Sequence, residues 1–318
     1  MSRLVKLPAV TALGGGHGLA ASLSALRQVT DQLTAVVTVA DDGGSSGRLR
    51  DELGCLPPGD LRMALAALCG DDRWGRQWAA VLQSRFDGDG PLRGHAVGNL
   101  LIAGIWQYLD DPVSGLDLVG NLLEAKGRVL PMSLLPLEIE ADVLGLDLAH
   151  PDEVQTLRGQ AAVATTRGFV KGVRLIPEDP PACPEAVRAV RNADAVVLGP
   201  GSWFTSVMPH LLVPELAQAI VESPGRRILT LNLAPAGETA GFTAARHIEL
   251  IAEHAPALRL DVVIADISFG RDDPHLKRFA ASLGAELVVA DVAIHDGSAR
   301  HDPLRLAAVF RDILIARA

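Results

Sequence analysis

The stretch Thr34-Ala35-Val36-Val37-Thr38-Val39-Ala40-Asp41-Asp42-Gly43-Gly44-Ser45-Ser46-Gly47 decides the fold class of this chain. Its first half is apolar or β-branched throughout, the composition of a strand covered on both faces in a parallel sheet. Its second half makes a poor helix and a poor strand, so the strand ends in a polar loop. Upstream, Val10 to Leu13 is a short apolar run that enters Gly14-Gly15-Gly16-His17-Gly18. Leu19, Leu23 and Leu26 then recur at helical spacing. Strand, glycine loop, helix and strand make a βαβ opening, which implies a right-handed crossover and a parallel sheet.

Further along, Asp60 to Tyr108 reads as helical, with Pro57-Pro58-Gly59 at its start and Asp87 to Gly90 as a break. From Arg128 to Leu175 the pattern is mixed and rich in β-branched residues, which predicts short strands. Buried strands are expected at Ala195 to Leu198, Ile228 to Leu233 and Asp261 to Ala265, and a strand at about Glu286 to Ala290 should bring the chain back toward the same rim. Helices are expected at Pro214 to Glu222 and Thr243 to His254, and a final one opens at Asp302-Pro303 with Asp302 as N-cap. No linker divides the chain. The expectation is one α/β unit over residues 1–318: doubly wound, with a mostly parallel sheet and a helical insertion at roughly 60–128.

The composition narrows the function classes. Of 318 residues, 48% are hydrophobic and 21% charged, and the net charge is −9. An acidic chain without a basic stripe repels a phosphate backbone, so nucleic acid is excluded as the main partner, whereas a small phosphorylated ligand needs only local positive potential. Cys55, Cys69 and Cys183 include no C-x-x-C pair and read as reduced thiols. No apolar run approaches the ~20 residues of a membrane span, so no membrane insertion is expected. Arg3 and Lys6 ahead of apolar residues mimic a signal peptide, but Pro8 and the triple glycine interrupt it. A cytoplasmic location is expected.

Five loops carry the candidate chemistry. In the first, Gly15, Gly16, His17 and Gly18 would bring backbone amides and a helix N-terminus to an anion; the plain alternative is a tight strand-to-helix turn. In the second, Asp41 or Asp42 would hold a ribose or sugar hydroxyl or a magnesium ion. Gly43, Gly44, Ser45 and Ser46 would line a phosphate and Arg48 would add charge, against the alternative of a solvated turn. In the third, Asp60 is an N-cap or a ligand contact, and Arg62 in the first helical turn points to an acidic partner. In the fourth, His95 and Asn99 stand four apart, on one helix face, and serve either ligand or buried backbone. In the fifth, Gly199, Gly201, Ser202 and Thr205 form a second cradle, with Asn232 after the next strand. Loops at several strand ends would thus meet on one rim, where open α/β sheets bind ligands. No catalytic template is assigned: there is no H-E-x-x-H and no P-loop lysine. No catalytic residue and no metal ligand set is assigned.

The same loops resemble a known family. Leu13-Gly14-Gly15-Gly16-x-Gly18-Leu19, Thr38 through Arg50, Pro57-Pro58-Gly59-Asp60-x-Arg62, Gly94-His95-x-x-Gly98-Asn99-Leu100, Leu130-Pro131-Met132-Ser133, Gly199-Pro200-Gly201-Ser202-x-Phe204-Thr205-Ser206 and Pro235-x-Gly237-Glu238-Thr239 resemble the gluconeogenesis-factor (YvcK-like) family. That family is related to 2-phospho-L-lactate transferase. His17, Leu134-Leu135, Phe204 and Ala240 depart from its pattern. The resemblance implies a Rossmann-like fold and a cytoplasmic regulatory protein that binds a UDP-sugar such as UDP-N-acetylglucosamine. The implied role is in carbon-source-dependent growth, cell shape and wall-precursor metabolism, without required cofactor or turnover, with homo-oligomers or regulatory proteins as further partners. It also extends to Arg300, in Arg300-His301-Asp302, as a diphosphate ligand. The alternative is a magnesium-dependent transferase that moves a phosphate-bearing group from a nucleotide-activated donor.

Overall fold

The computed structural model describes residues 7–147, 149–271 and 273–315. Ten strands are present among these: β1 (Val10–Gly14), β2 (Leu33–Val37), β3 (Arg128–Pro131), β4 (Glu138–Leu144), β5 (Gln155–Arg158), β6 (Phe169–Ile176), β7 (Ala195–Leu198), β8 (Arg226–Thr230), β9 (Val262–Asp266) and β10 (Glu286–Ala290). Seven of them form one sheet in the order β10-β9-β8-β7-β1-β2-β3. Every neighbouring pair in it is parallel, from Val10 opposite Leu33 to Glu286 opposite Val262. Leu13, Val36, Val197, Leu229 and Val263 are wholly buried, as the continuous apolar runs require.

The order of strands places the site. The chain begins at the centre with β1 and moves out through β2 and β3. It then returns to lay β7 against the other edge of β1 and continues outward through β8, β9 and β10. The winding therefore reverses between β1 and β7, and the loops leaving their carboxyl ends diverge to opposite sides. A crevice opens there as a matter of topology. Helix Gly16–Leu26 leaves β1 and buries Leu19, Leu23 and Leu26 against the sheet.

The helical insertion holds helices Gly59–Leu68, Arg73–Gln83, Val97–Leu109 and Pro112–Leu122. The short strands expected between Arg128 and Leu175 do form, but only β3 joins the parallel sheet. β4, β5 and β6 build a separate antiparallel sheet in the order β5-β4-β6. Its β4 alternates, with Ile139, Ala141 and Val143 inward and Glu138, Glu140 and Asp142 outward, the period of a sheet covered on one face. The outward acids pair with Arg158 at 2.5 Å and Arg174 at 2.8 and 3.1 Å. Arg50, on helix Gly44–Leu53, reaches Glu138 at 3.1 Å and ties that helix to this second sheet. The strand at Thr34 stops at Val37, three residues before the expected Ala40, although Val37 and Val39 still accept from the Met132 and Leu137 amides beyond β3. Arg3 and Lys6 lie outside the described residues. Among the described residues, no single helix is long and apolar enough to cross a membrane.

Candidate functional site at the strand reversal

The loops after β1 and β7 are in direct contact. A Cβ at Gly18 would stand 2.2 Å from the carbonyl oxygen of Pro200, so only glycine lets the two backbones approach this closely. Ser22, one turn further along the same helix, donates to the Gly199 carbonyl at 3.0 Å and locks the pair from behind. At Gly15 a Cβ would lie 2.5 Å from Asp60 Oδ2 and from Thr38 Cγ2, and 3.2 Å from Ser206 Oγ. Four loops therefore meet on Gly15: those after β1, β2 and β7, and the turn that opens helix Gly59–Leu68.

Asp60 shows what this packing does to charge. Its helix begins at Gly59, with Pro58 at the cap position, so Asp60 is not the cap of its own helix. Instead its carboxylate accepts from the Gly16 backbone N–H, at the start of the helix after β1. The residue is half-buried because it borders the crevice, yet its carboxyl is ringed by protein. Burial, and then the nearby Asp41 carboxylate, push its pKa up to about 7. Asp41 accepts from the Gly43 N–H at 3.0 Å through Oδ1, while Oδ2 faces Gly59 and Ser46. Two carboxylates thus share the floor of the crevice.

Around that floor, the residues at the N-cap positions of helices Gly16–Leu26, Gly44–Leu53, Gly59–Leu68 and Val97–Leu109 make no side-chain cap, as is also true of Pro184–Arg191 and Pro214–Glu222 elsewhere. Of these first turns, that of Gly16–Leu26 meets the Asp60 carboxylate. Uncapped first turns leave amide donors to be satisfied by something else, and they favour anions.

A second cluster braces the rim. Ser45 Oγ accepts from Asn99 Nδ2 at 3.0 Å and from the Ala96 N–H at 3.3 Å, and lies 3.0 Å from His95 Nδ1. With both acceptor positions used, the hydroxyl proton goes to Nδ1, which makes the ring neutral with Nε2 protonated. Burial and Arg48 lower the His95 pKa in the same sense. His95 lies in the loop before helix Val97–Leu109 rather than on it, so its meeting with Asn99 comes from Ser45 and not from a shared helix face. Arg48 donates to the carbonyls of Pro91 and Arg93 at 3.3 and 2.9 Å and pins this loop. The Arg62 guanidinium is bonded to Gln83 and Leu82 at the end of the neighbouring helix, and feels Asp60 and Asp41 only through their field.

A third cluster shapes the loop after β7, in which the Gly199–Pro200 peptide is cis. Asn232 accepts from the Gly201 N–H at 2.9 Å and donates to its carbonyl at 2.8 Å. Ser202 donates to Glu238 at 2.5 Å and is bonded to Thr205, and the Phe204 N–H reaches the same Glu238 oxygen at 3.4 Å. Burial raises the Glu238 pKa. Asp42 accepts from the Ala161 N–H at 2.9 Å. His17 is exposed on the lip.

The profile of 2-phospho-L-lactate transferase CofD matches residues 10–301, a span that runs from β1 through every loop just described. The chain belongs to that family. Among its CofD-family relatives, a putative gluconeogenesis factor of Mycobacterium tuberculosis is 56% identical over 304 residues, covering 94% of this chain and 88% of the relative. A gluconeogenesis factor of Listeria innocua is 35% identical, covering 95% of this chain and 94% of its own length. The crystal structure of a UPF0052-family protein from Bacillus halodurans superimposes with a TM-score of 0.83 at 31% identity, over 96% of this chain and 99% of that one.

Within this CofD-family fold, Gly15, Gly18, Asp41, Ser46, Asp60, Gly199 and Gly201 are brought together at the reversal. Arg300 is set apart, in the loop after β10, where it is exposed and ion-paired with Asp296 at 2.8 Å. Ser206, the third hydroxyl of the fifth loop, faces Gly15, and Glu238, in the turn after β8, organises Ser202 and Phe204; the sequence places both on the rim without giving either a role.

Proposed function

We propose that the chain binds a nucleotide sugar of the UDP-N-acetylglucosamine type across the crevice between β1 and β7, and that it acts as a regulator rather than through turnover. The observation that carries this reading is the convergence on Gly15 of loops from β1, β2 and β7 with the turn before helix Gly59–Leu68. Uncapped first turns would meet the diphosphate, and the loop after β7, held by Asn232 and Glu238, would meet the base or sugar. Arg300, set apart from the crevice floor, would join the site only by moving off Asp296 to a phosphate oxygen pair. The gluconeogenesis-factor names of the relatives support a role in carbon-source-dependent growth. A cytoplasmic location, a part in cell shape and wall-precursor supply, homo-oligomers and regulatory protein partners belong to the same proposal.

The test is thermal shift followed by calorimetry. A ligand that binds only the folded state at a hundredfold excess over its Kd adds about 2.7 kcal/mol. UDP-N-acetylglucosamine is expected to raise Tm more than NAD or ATP. Asp41→Asn and Arg300→Ala are each expected to weaken it at least tenfold. An equal or larger shift with NAD overturns the reading.

One observation favours a second reading. Asp41 and Asp60 share the crevice floor, and magnesium is commonly held by one or two carboxylates plus substrate phosphates. The pair fits such an ion, which would supply charge neutralisation to a transferase acting on a nucleotide-activated donor. Consumption of the nucleotide over hours with magnesium, abolished in Asp41→Asn, would select this reading.

A further inference from the structure

Between β5 and β6 the second sheet carries a short helix, Gln160–Thr165. A helix of this length does not hold itself together in water, so its place depends on what grips its ends. At its start, the Ala161 N–H donates to Asp42 Oδ1 at 2.9 Å, across 119 residues of sequence. Gly159, with φ +102°, lies so near that a Cβ would stand 2.3 Å from Asp42 Oδ2. At its far end, Gly237, with φ +53°, passes beneath Ala164, where a Cβ would stand 2.4 Å from the Ala164 carbonyl oxygen. The far grip is a backbone contact that a Cβ would block, and at the near one the positive φ itself calls for glycine.

Asp42 belongs to the loop after β2, and Gly237 to the loop after β8. In the sheet, β1 and β7 lie between these two strands. Three strand spacings come to ~14 Å, and six helical residues with their flanks span a comparable distance. The helix therefore crosses the carboxyl edge of the sheet over the two strands whose loops frame the crevice. From these contacts we infer that Gln160–Thr165 is a strap across the crevice and that Asp42 is its latch, a positioning residue and not a ligand contact. Asp42 is exposed and holds the start of the helix through one hydrogen bond, while Val163, wholly buried, seats the helix's inner face on the core, so loss of the latch frees the N-terminal end of the strap rather than the whole helix. Gly237 leads directly into Glu238, so the strap's far end bears on the residue that shapes the loop after β7.

This inference rests on the crevice being the ligand site, and its first test does not. Amide hydrogen exchange of residues 159–165 is followed, without ligand, in wild type, Asp42→Ala, Asp42→Asn and Gly159→Ala. Asparagine keeps an oxygen that accepts from Ala161, so it should exchange within about threefold of wild type. Asp42→Ala and Gly159→Ala should speed exchange at least tenfold, with strands 10–14 and 195–198 unchanged as the folding control. Unchanged exchange in Asp42→Ala overturns the latch. In stopped-flow binding of UDP-N-acetylglucosamine, Asp42→Ala should accelerate both association and dissociation, while Asp42→Asn behaves as wild type. If asparagine loses affinity as alanine does, Asp42 acts on the ligand through its charge and the assignment falls. If wild type binds no UDP-N-acetylglucosamine, the nucleotide-sugar reading fails, and the exchange experiment alone decides the latch.

Discussion

Asp60 loads the unliganded protein with an electrostatic cost. Its folded pKa of about 7 stands above the ordinary carboxylate value of 3.8, so the folded state holds this proton more tightly than the unfolded chain does. The stabilising effect is complete below about pH 3.8 and is lost as pH rises toward 7. Above that, the fold carries a buried charge beside Asp41. Asp60→Asn, which keeps an acceptor for the Gly16 N–H, should therefore raise stability at pH 8 on the order of 1–2 kcal/mol, one pKa unit being worth about 1.4 kcal/mol. The gain should vanish near pH 4. Scanning calorimetry at both pH values checks this, and a lower Tm for the variant at pH 8 would contradict it. Single residues were only partly legible in sequence. Asp41, Asp42 and Asp60 stood out as acids beside glycines, but what each one does depends on partners far along the chain, such as Ala161 for Asp42 and Gly16 for Asp60.

At the level of elements, glycines divide by what surrounds them. Gly18→Ala would drive a Cβ to 2.2 Å from Pro200 oxygen, which belongs to backbone and cannot swing aside. It should cost about 1–3 kcal/mol and weaken nucleotide-sugar binding, since the two loops must part. Gly104, inside helix Val97–Leu109, has open space around its would-be Cβ. Gly104→Ala should gain about 0.5–1 kcal/mol from helix propensity. Chemical denaturation of the two variants reads both signs, and a neutral Gly18→Ala would mean that the loop contact is dispensable. Strands buried on two faces, such as β1, β7 and β9, were readable from their continuous apolar runs. The separate sheet was not. The alternation of Glu138 to Leu144 marks a half-covered strand, but nothing local says which sheet it joins, and that is settled by cross-strand pairing with residues up to Ile176.

For the molecule as a whole, acid should act through histidines buried in neutral form. His210 is wholly buried, with Nε2 3.1 Å from the Val36 carbonyl, and burial pulls its pKa down to about 4. His301, at the other end of the sheet, is pulled to about 4 by the same cause. Both values lie below the ordinary 6.5, so the stability they contribute is complete above that pH and is lost as pH falls toward 4. Asp60 works in the opposite sense over much of this window, so the comparison belongs in the Asp60→Asn background. There, the unfolding free energy should fall on the order of 2–5 kcal/mol between pH 6.5 and 4. A flat profile would show that the two rings are not kept neutral.

The pairing of β1 with β7 has a consequence for how the chain is made. Val10 lies opposite Ala195, so one edge of the central strand waits for a partner 185 residues downstream. At translation rates of about 5–20 residues per second, that wait lasts roughly 10–40 s. During it, β1, β2 and β3 can assemble, but β1 presents an open, apolar edge to its surroundings. The nascent chain is thus most exposed to misassembly at the very strand that later carries the glycine loop. The crevice lacks one wall until β7 docks, so on the proposed reading a partly synthesised chain has no site at which a nucleotide sugar could steady it.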